Sequence, residues 1–580
     1  MPLMRLVPLL RWLRGYRRSD AVADGLAGTV TAVLLIPQAM AYAVVAGLPP
    51  EVGLYASVLP SLAYALLGTS PYIGIGPVAI NAIMVASALA AAGHGDPSTK
   101  VIHALQLAAI SAVTLLALGA LRAGAFMNFL SRPVLDGFTS GAALLIVLTQ
   151  IPPLLGVPAQ SGPLLHEVLA ALARNVAHVN TPTAGVGIAS LVLLLGAGPL
   201  RTQLRRLPLR PLVADVLGRM LPLVVIALAA LVAAVGHLAT HGVAVVGSIP
   251  SGLPAPSLAL LRAPGWLDLL VPGVLIALIS YVSSVSIAQG LASRRRERID
   301  TDQELLALGA ANAAAAVGGA LPVAASFSRS ALNFSTGART PLAGVVTALI
   351  VGAVTLTLTG AFRTLPKAAL AALIVAAVAP LVDIGSFRRT LAYSRGDGLC
   401  FAATFIGVLF LGVERGLLLG ALLALAVYVW RSGRPHMAIV GRVPGTEHFR
   451  NVRRYEVTTW PTLLLLRVDE SIYFANASRV EQFVLEALAT HPRVTDLVLV
   501  GSGINHIDSS GLAMLEGLLP GLREAGVRVH LAEFKGPVLD RLQRSRLLDL
   551  LPPGRVFLST NEAATALTAE DAAVTEETPT

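Results

Sequence analysis

Arg329 is the only charged residue between Glu304 and Arg339, in a stretch rich in alanine and serine. A charge in the centre of a bilayer costs about 3 kcal/mol on insertion scales, so an arginine there marks a candidate functional site. Ser326 or Ser328 can cap a short helix that begins just before it. The pattern therefore predicts a half-helix whose first turn carries Arg329. The alternative is an arginine that extends to the membrane surface or pairs with a carboxylate elsewhere.

A second interrupted stretch, at residues 70–80, reads Ser-Pro-Tyr-Ile-Gly-Ile-Gly-Pro-Val-Ala-Ile. Its alternating glycines and Pro77 exclude the interior of a long helix, whereas proline is favoured in a first helical turn. We therefore expect a half-helix to begin at Pro77. Helix N-termini present unpaired N–H groups and about half a positive charge, so two of them beside Arg329 would attract an anion. Two kinked helices without a ligand are the alternative.

Two further sets of polar residues lie inside apolar stretches. Gln38 and Tyr42 are four residues apart and share one helix face, next to Pro37, which frees backbone groups beside them. They are either ligand contacts or ordinary helix-packing hydrogen bonds. A later apolar stretch is dense in hydroxyl groups, at Ser280, Tyr281, Ser283, Ser284 and Ser286. This density indicates a wetted or packed polar face, although small serines also let helices approach closely.

Hydrophobic segments that could hold these residues fill the chain as far as Trp430. Of all residues, 55% are hydrophobic and 13% are charged, about half the charge of an average soluble protein. About fourteen segments are predicted to be helical spans. Their approximate limits are 26–47, 52–67, 74–91, 102–121, 135–155, 183–198, 212–235, 266–291, 303–320, 328–337, 342–360, 366–381, 397–412 and 415–430. The interrupted stretches are the third and the tenth, matching positions in two sets of seven, which is typical of a transporter's midplane site.

The basic residues indicate the orientation of the chain. Arginines cluster at 5–18, 201–210, 294–298 and 388–395. These clusters fall on one side of the predicted spans, and the positive-inside rule makes that side cytoplasmic. The net charge of +10 thus reflects topology and does not indicate a nucleic-acid partner. We expect a multi-pass protein of the cell membrane with both termini in the cytoplasm. The single cysteine, Cys400, excludes a disulfide framework.

The rest of the chain changes character after Trp430. Residues 431–454 are rich in Gly, Pro and Arg and are predicted to be a linker between the membrane domain, 1–430, and a C-terminal domain, 455–567. In that domain short strands at 463–468, 496–500, 527–532 and 556–559 alternate with helices at 477–489, 509–525 and 535–545. Such alternation predicts a small α/β domain. Residues 568–580 are expected to be a disordered tail.

Several motifs in order resemble those of the sulfate permease (SulP) family, over about residues 20–567. They are Ile36-Pro-Gln-Ala-Met-Ala-Tyr-Ala-Val-Val-Ala-Gly-Leu-Pro-Pro50, Gly53-Leu-Tyr55, Gly68-Thr-Ser70, Gly76-Pro-Val-Ala79, Ser326-Phe-Ser-Arg-Ser-Ala-Leu-Asn333, Gly441-Arg-Val-Pro-Gly-Thr446 and Arg467-Val-Asp-Glu-Ser-Ile-Tyr-Phe-Ala-Asn476. The C-terminal domain resembles a STAS domain, related to bacterial anti-sigma-factor antagonists.

The resemblance implies more than the residues themselves do. It implies a seven-plus-seven inverted repeat divided into a core and a gate, usually in a homodimer, with the anion between the half-helices of the third and tenth spans. Carried over residue by residue, the site would consist of Gln38, Tyr42, backbone at Val78 and Ala79, and Phe327, Ser328 and Arg329.

Ser283 and Ser509 lie at positions where the resemblance implies a function beyond the site itself. Many family members carry a glutamate on the eighth span, linked to proton coupling or to pairing of the arginine, where this chain has Ser283. The difference weakens any transfer of proton symport and makes the bound anion a candidate partner of Arg329. In the STAS domain, Ser509 of Asp508-Ser-Ser-Gly511 resembles a position that is phosphorylated in anti-sigma antagonists. A helix cap is the alternative and the favoured reading there.

These observations lead to one main hypothesis and several alternatives. The main one is a secondary transporter that exchanges or facilitates small inorganic anions of the sulfate, bicarbonate or chloride class, with no cofactor or metal. The alternatives are a proton- or sodium-coupled symporter, a dicarboxylate transporter, and a membrane-anchored sensor or scaffold whose STAS domain binds a cytosolic protein. We do not expect an enzyme, since no metal-ligand cluster, phosphate-binding loop or nucleophile–base pair stands out in the sequence.

Overall fold

The computed structural model describes residues 8–93, 96–124, 131–157, 164–204, 211–253, 256, 259–545, 547–551 and 555–576. The chain forms two compact units, Met1–Ala424 and Leu425–Thr580. Of the arginine cluster predicted at 201–210, residues 205–210 lie outside the described residues.

The described residues of the first unit are helical apart from two short strands, β1 (Ile75–Gly76) and β2 (Ala324–Ala325), and the loops. Its helices among the described residues are α1 (Leu9–Arg14), α2 (Arg18–Val45), α3 (Pro50–Tyr55), α4 (Leu59–Leu67), α5 (Ala79–Ala91), α6 (Pro97–Ala120), α7 (Arg132–Thr149), α8 (Ile151–Leu155), α9 (Leu165–Asn175), α10 (Thr181–Leu204), α11 (Pro211–Val235), α12 (Trp266–Ser293), α13 (Thr301–Val317), α14 (Phe327–Thr336), α15 (Leu342–Thr357), α16 (Lys367–Val378), α17 (Ile384–Tyr393), α18 (Arg395–Leu411) and α19 (Val413–Ser432), which continues into the second unit.

Six helical stretches within the described ranges are long and apolar enough to cross a membrane: Arg18–Val45, Pro97–Ala120, Arg132–Leu155, Trp266–Ser293, Lys367–Tyr393 and Val413–Ser432. The count of fourteen spans stays a prediction. Two predicted segments, 52–67 and 135–155, are each divided into two helices. Helices α9 and α17 were not predicted, because both are amphipathic and fall between the apolar stretches.

Small residues let the helices of this unit pack closely. A Cβ added to Gly309 of α13 would lie 2.8 Å from the Leu116 side chain of α6, and one added to Gly273 of α12 would lie 2.7 Å from Ile110. Such close approach is typical of helices in membranes, where packing and not the hydrophobic effect holds helices together. Asp300 caps α13 by accepting hydrogen bonds from the backbone N–H groups of Asp302 and Gln303.

The two interrupted stretches of the sequence meet in the interior. Strand β1 (Ile75–Gly76) pairs with strand β2 (Ala324–Ala325) in antiparallel register, with Ile75 opposite Ala325 and Gly76 opposite Ala324. Each strand is followed within three residues by a short helix, α5 or α14. The ladder therefore places the N-termini of two half-helices side by side.

The second unit contains a six-stranded sheet in the order β4-β3-β5-β6-β7-β8. Its strands are β3 (Met437–Arg442), β4 (Phe449–Asn451), β5 (Leu463–Val468), β6 (Asp496–Val500), β7 (Arg528–Ala532) and β8 (Val556–Phe557), and its helices are α20 (Ala477–Ala489), α21 (Ser509–Glu524), α22 (Gly536–Gln543) and α23 (Thr560–Glu576). Strands β5 to β8 are parallel, whereas β3 is antiparallel to both of its neighbours.

Side chains that alternate along the strands form two hydrophobic clusters, one on each face of the sheet. Leu464 and Leu466 of β5 pack with the apolar faces of α20 and α21 in the larger cluster. Leu463 and Leu465 point to the other face and pack with Ala564 and Leu567 of α23. Parallel strands covered on both faces read as continuous apolar runs, which is why these strands were predicted to within two residues.

The structure corrects two of the predicted boundaries. The predicted linker 431–454 contains β3 and β4, so its residues 437–442 and 449–451 belong to the sheet. The predicted tail 568–580 begins inside α23, which continues to Glu576, and the residues of this helix that pack on the sheet, Ala563, Ala564 and Leu567, precede that tail. Residues 577–580 lie outside the described residues.

Candidate anion-binding site

The first half-helix, α5, begins at Ala79 with Val78 as its N-cap, two residues later than predicted from Pro77. The second, α14, begins at Phe327 with Ser326 as its N-cap. The Ser326 side chain makes no cap hydrogen bond, and its hydroxyl lies 3.2 Å from that of Ser328. The free N–H groups of both first turns are therefore available to a ligand.

Arg329 lies in the first turn of α14 with 1% of its surface exposed. Its Nη2 donates a hydrogen bond of 3.1 Å to the carbonyl of Pro77, at the start of the other half-helix. Its Nε and Nη1 atoms are buried without a hydrogen-bond partner, and it forms no ion pair with any described residue. A buried guanidinium with two nitrogen atoms that lack acceptors is costly, and an anion at this place would supply the missing acceptors.

Two glycines make room for this side chain. A Cβ added to Gly74 would lie 2.8 Å from Cβ of Arg329. Gly76 has a φ of +150°, which other residues rarely adopt, and a Cβ there would lie 3.3 Å from Nη2 of Arg329. The alternating glycines that excluded a long helix in the sequence thus serve close approach to the arginine.

Helix α2 brings Gln38 and Tyr42 to the same region. Leu35, on the same face, reaches within 3.5 Å of the position that a Cβ of Gly76 would take. Tyr42 is 8% exposed and close enough to Arg329 to interact with it electrostatically. The Oε1 atom of Gln38 is buried without a hydrogen-bond partner. Tyr42 therefore lies near Arg329, and a role for either residue in anion binding stays a prediction.

The remaining candidates differ in what surrounds them. Phe327 is 63% exposed and Ser328 is exposed, so both are open to whatever occupies the space before α14. Ser283 donates to the carbonyls of Ile279 (2.8 Å) and Ser280 (3.2 Å) in its own helix. Its role at the site therefore has no support from its hydroxyl contacts and stays a prediction.

Sequence reasoning missed the residues that hold the half-helices in place. Ser284, one position after Ser283, accepts a hydrogen bond of 3.0 Å from the backbone of Ala325 in β2. Asn81 of α5 donates to the hydroxyl of Ser280 at 2.9 Å. The density of hydroxyl groups on α12 was the signal that could have indicated these supports. Ser280 and Ser284 are four residues apart and share a helix face, whereas Ser283 lies to one side of it.

Glu304 of α13 was also missed, although it is 1% exposed. Its carboxylate accepts hydrogen bonds from the Tyr64 hydroxyl (2.9 Å), from the Thr69 hydroxyl (2.6 Å) and backbone (2.8 Å), and from the Ser70 backbone (3.2 Å). These contacts fix the start of the first interrupted stretch. Glu304 is a buried charge whose partners are already complete, in contrast to Arg329.

In the second unit, Asp508 caps α21 and Ser509 is its exposed first residue. Asp508 accepts hydrogen bonds from the backbone of Gly511 (2.8 Å) and of Phe474 (2.9 Å). A helix cap was the alternative to phosphorylation of Ser509, and the neighbouring Asp508 provides that cap. A regulatory role for Ser509 stays a prediction.

Comparison with known proteins gives two family matches and many relatives. Residues 22–404 match the sulfate permease family, and residues 454–563 match the STAS domain. The chain is 32% identical over 574 residues to the chloroplastic sulfate transporter 4.1 of Arabidopsis thaliana, covering 96% of this chain and 82% of the relative. It is 33% identical to a probable sulfate transporter of Mycobacterium tuberculosis, covering 96% of this chain and 95% of the relative.

Solved structures show the same fold. The murine Solute Carrier 26 family member A9 anion transporter, in its inward-facing state, superimposes with a TM-score of 0.88 at 22% identity, covering 98% of this chain and 94% of that chain. The transmembrane domain of the cyanobacterial bicarbonate transporter BicA superimposes with a TM-score of 0.58 at 21% identity, covering 70% of this chain and 98% of that chain.

Proposed function

Because this multi-pass membrane chain belongs to the sulfate permease family, we propose that it is a secondary transporter of small inorganic anions of the sulfate, bicarbonate or chloride class. The observation that carries the proposal is Arg329, which is buried between two half-helix N-termini with two of its three side-chain nitrogen atoms unpaired. One anion between α5 and α14 would satisfy both the guanidinium and the helix ends. Sulfate and bicarbonate transport are named for relatives and similar structures.

The proposed binding set is Gln38, Tyr42, the backbone at Val78 and Ala79, Ser283, Phe327, Ser328 and Arg329. In a core-and-gate movement these residues would cross the barrier together. An empty site would carry the bare charge of Arg329 across it, so a loaded site should cross more easily. Exchange or facilitated transport follows from this electrostatic argument.

The proposal includes the setting of the protein. Both termini lie in the cytoplasm, on the side of the arginine clusters, in a cell membrane. The protein functions as a homodimer, and the C-terminal domain engages a cytosolic protein partner. A sensor or scaffold that transports little would have no use for a buried arginine kept open for an anion, which favours transport.

The experiment is uptake of labelled sulfate, bicarbonate and chloride into proteoliposomes. Arg329→Ala should reduce uptake of the transported anion about a hundredfold or more, because the buried charge is its main attraction, and Arg329→Glu should reduce it further. Arg339→Ala is the control, since Arg339 lies beyond the other end of α14 and pairs with Asp20 at 2.6 Å with 52% of its side chain exposed. Unchanged uptake in Arg329→Ala would overturn the proposed site. Absence of uptake of all three anions by the unmodified protein would overturn the function.

A further inference from the structure

An exposed loop after α12 reaches both interrupted stretches at the end opposite the half-helix N-termini. The guanidinium carbon of Arg295 lies 5.4 Å from the centre of the Tyr72 ring and 5.0 Å from the centre of the Phe334 ring. Tyr72 precedes β1, and Phe334 is in the last part of α14. One loop side chain therefore covers a residue from each stretch, an arrangement that cation–π attraction favours.

Glu297 of the same loop adds a hydrogen bond. The hydroxyl of Tyr72 lies 3.1 Å from each carboxylate oxygen of Glu297, and the Tyr72 ring meets the Phe334 ring edge to face with centres 5.0 Å apart. Tyr72 is 1% exposed, whereas Arg295 and Glu297 are exposed. We call these four residues, Arg295, Glu297, Tyr72 and Phe334, the Arg295 clamp.

The Arg295 clamp connects to Arg329 through one face of α14. Asn333 donates to the carbonyl of Tyr72 at 3.2 Å, and the backbone of Gly74 donates to the Ser330 hydroxyl at 3.0 Å. The backbone of Ser326 donates to the carbonyl of Gly74 at 3.1 Å. These contacts run along the helix face that also carries Arg329. A rotation of α14 that broke them would turn the guanidinium away from Pro77.

We propose that Arg295, Glu297 and Tyr72 are positioning residues for anion binding, because the Arg295 clamp fixes the rotation of α14 and so aims Arg329. The inference rests on the proposed function in that Arg329 is taken as the anion contact. None of the three touches the space between the half-helix N-termini through a described hydrogen bond. Their effect on binding is therefore indirect, through the orientation of α14.

The first test is anion uptake by Tyr72→Phe, which keeps the ring and removes the hydroxyl contact with Glu297. We expect the KM for the transported anion to rise about three- to tenfold, the usual net effect of one lost hydrogen bond, because the partner Glu297 is exposed to solvent. We expect kcat to stay within about twofold. Glu297→Gln keeps an acceptor and should restore most of the affinity that Glu297→Ala loses. Tyr16→Phe is the matched control, since the Tyr16 hydroxyl also lies 3.1 Å from a carboxylate, that of Asp24.

A second measurement does not depend on which anion is transported. In a Cys400→Ala background, Ser328→Cys places a thiol in the exposed first turn of α14, where its labelling rate by a negatively charged thiosulfonate reports on that turn. Adding Tyr72→Phe should change this rate, whereas adding Tyr16→Phe should not. Equal rates and an unchanged KM in Tyr72→Phe, with only a lower melting temperature, would overturn the inference. A changed rate in a protein that takes up none of the three anions would retain the clamp and overturn the proposed function.

Discussion

Two buried charges, one in each unit of the chain, differ in whether the protein completes their hydrogen bonds. Arg329 in the membrane unit uses one N–H group, on the Pro77 carbonyl, and leaves Nε and Nη1 unpaired. Asp496, at the start of β6, has a side chain that is 2% exposed and lies 2.7 Å from Arg528, 2.9 Å from His530 and 2.8 Å from the Thr495 hydroxyl. The first charge keeps donors that the proposed anion would use, whereas the second is paired within the fold.

The largest expected contrast is in stability. Asp496→Ala should lower the free energy of local unfolding around β6 and β7 by about 3 kcal/mol, because it leaves the fully buried His530 without the carboxylate that it contacts. Arg329→Gln should leave melting of the membrane unit unchanged or raise it, since it removes an unpaired buried charge. Hydrogen exchange of the full-length protein, read separately in each unit, measures both.

Asp469 offers a control for that comparison. It pairs with Arg467 at 2.6 Å, with side chains 29% and 25% exposed, so Asp469→Ala should cost less than about 1 kcal/mol. An equal loss in Asp469→Ala and Asp496→Ala, or a strong loss of protection in Arg329→Gln, would show that the two buried charges do not differ in the way described.

A smaller effect is expected when the room around Arg329 is filled. In Gly74→Ala the new methyl group would lie 2.8 Å from Cβ of Arg329, so α14 has to shift. We expect about a tenfold rise in the KM for the transported anion, within the usual cost of overpacking. Gly290→Ala in α12 is the control, because a Cβ there meets nothing within 4 Å. Equal KM values for the two variants would contradict the close packing.

Lowering the pH should gradually remove the stabilisation that Asp496 gives to the folded second unit. Burial by itself raises the pKa of Asp496, but hydrogen bonds from His530, Arg528 and Thr495 outweigh it and lower the pKa from 3.8 to about 2. A lowered pKa in the folded state means that the stabilisation is complete above pH 3.8 and is lost as the pH falls through about 2. The melting-temperature difference between the unmodified protein and Asp496→Asn should therefore shrink over this interval. A difference that shrinks only above pH 5 would point to another group.

The smallest effect is expected from a proton gradient, which should leave the rate of anion uptake nearly unchanged. Serine does not titrate, so Ser283 cannot supply the proton exchange that a carboxylate at this position would allow. We predict that uptake changes less than about twofold when the pH gradient is varied at a clamped membrane potential, and rises with a permeant anion on the opposite side. Strong acceleration by an inward proton gradient would assign the coupling to another residue, and Glu304 would be the first to test.

The sequence predicted the elements whose pattern is local. The apolar runs of β5 and β6 were placed to the residue, and both interrupted stretches were located, because glycine and proline act on their immediate neighbours. Strand β3 was taken for linker because Gly, Pro and Arg surround it, although it pairs with β4 shortly afterwards and with β5 further along the chain. The tendency of a segment to form a strand depends strongly on such neighbours and less on its own composition.

The sequence was enough to predict the charged residue of the site, but not the residues that hold the half-helices in place. Arg329 is conspicuous because it is alone in an apolar stretch, and the structure places it between the half-helices as expected. Glu304 and Thr69 are 235 residues apart, and only the folded chain brings them together. The rotation of α12 about its axis directs Ser284, and not Ser283, towards β2. This rotation is set by packing, which cannot be inferred from the number of hydroxyl groups.

The two-residue ladder between β1 and β2 also sets an order of events during synthesis. Arg329 and Pro77 are 252 residues apart, so the first half-helix enters the membrane long before its partner exists. At the usual rate of translation, of roughly 5–20 residues per second, this interval lasts roughly 10–50 s. During that time the stretch around Gly74 and Gly76 has backbone groups with no strand to pair with. A nascent chain arrested before Ala324 should therefore be an early substrate for membrane quality control, and release beyond Arg329 should end that vulnerability.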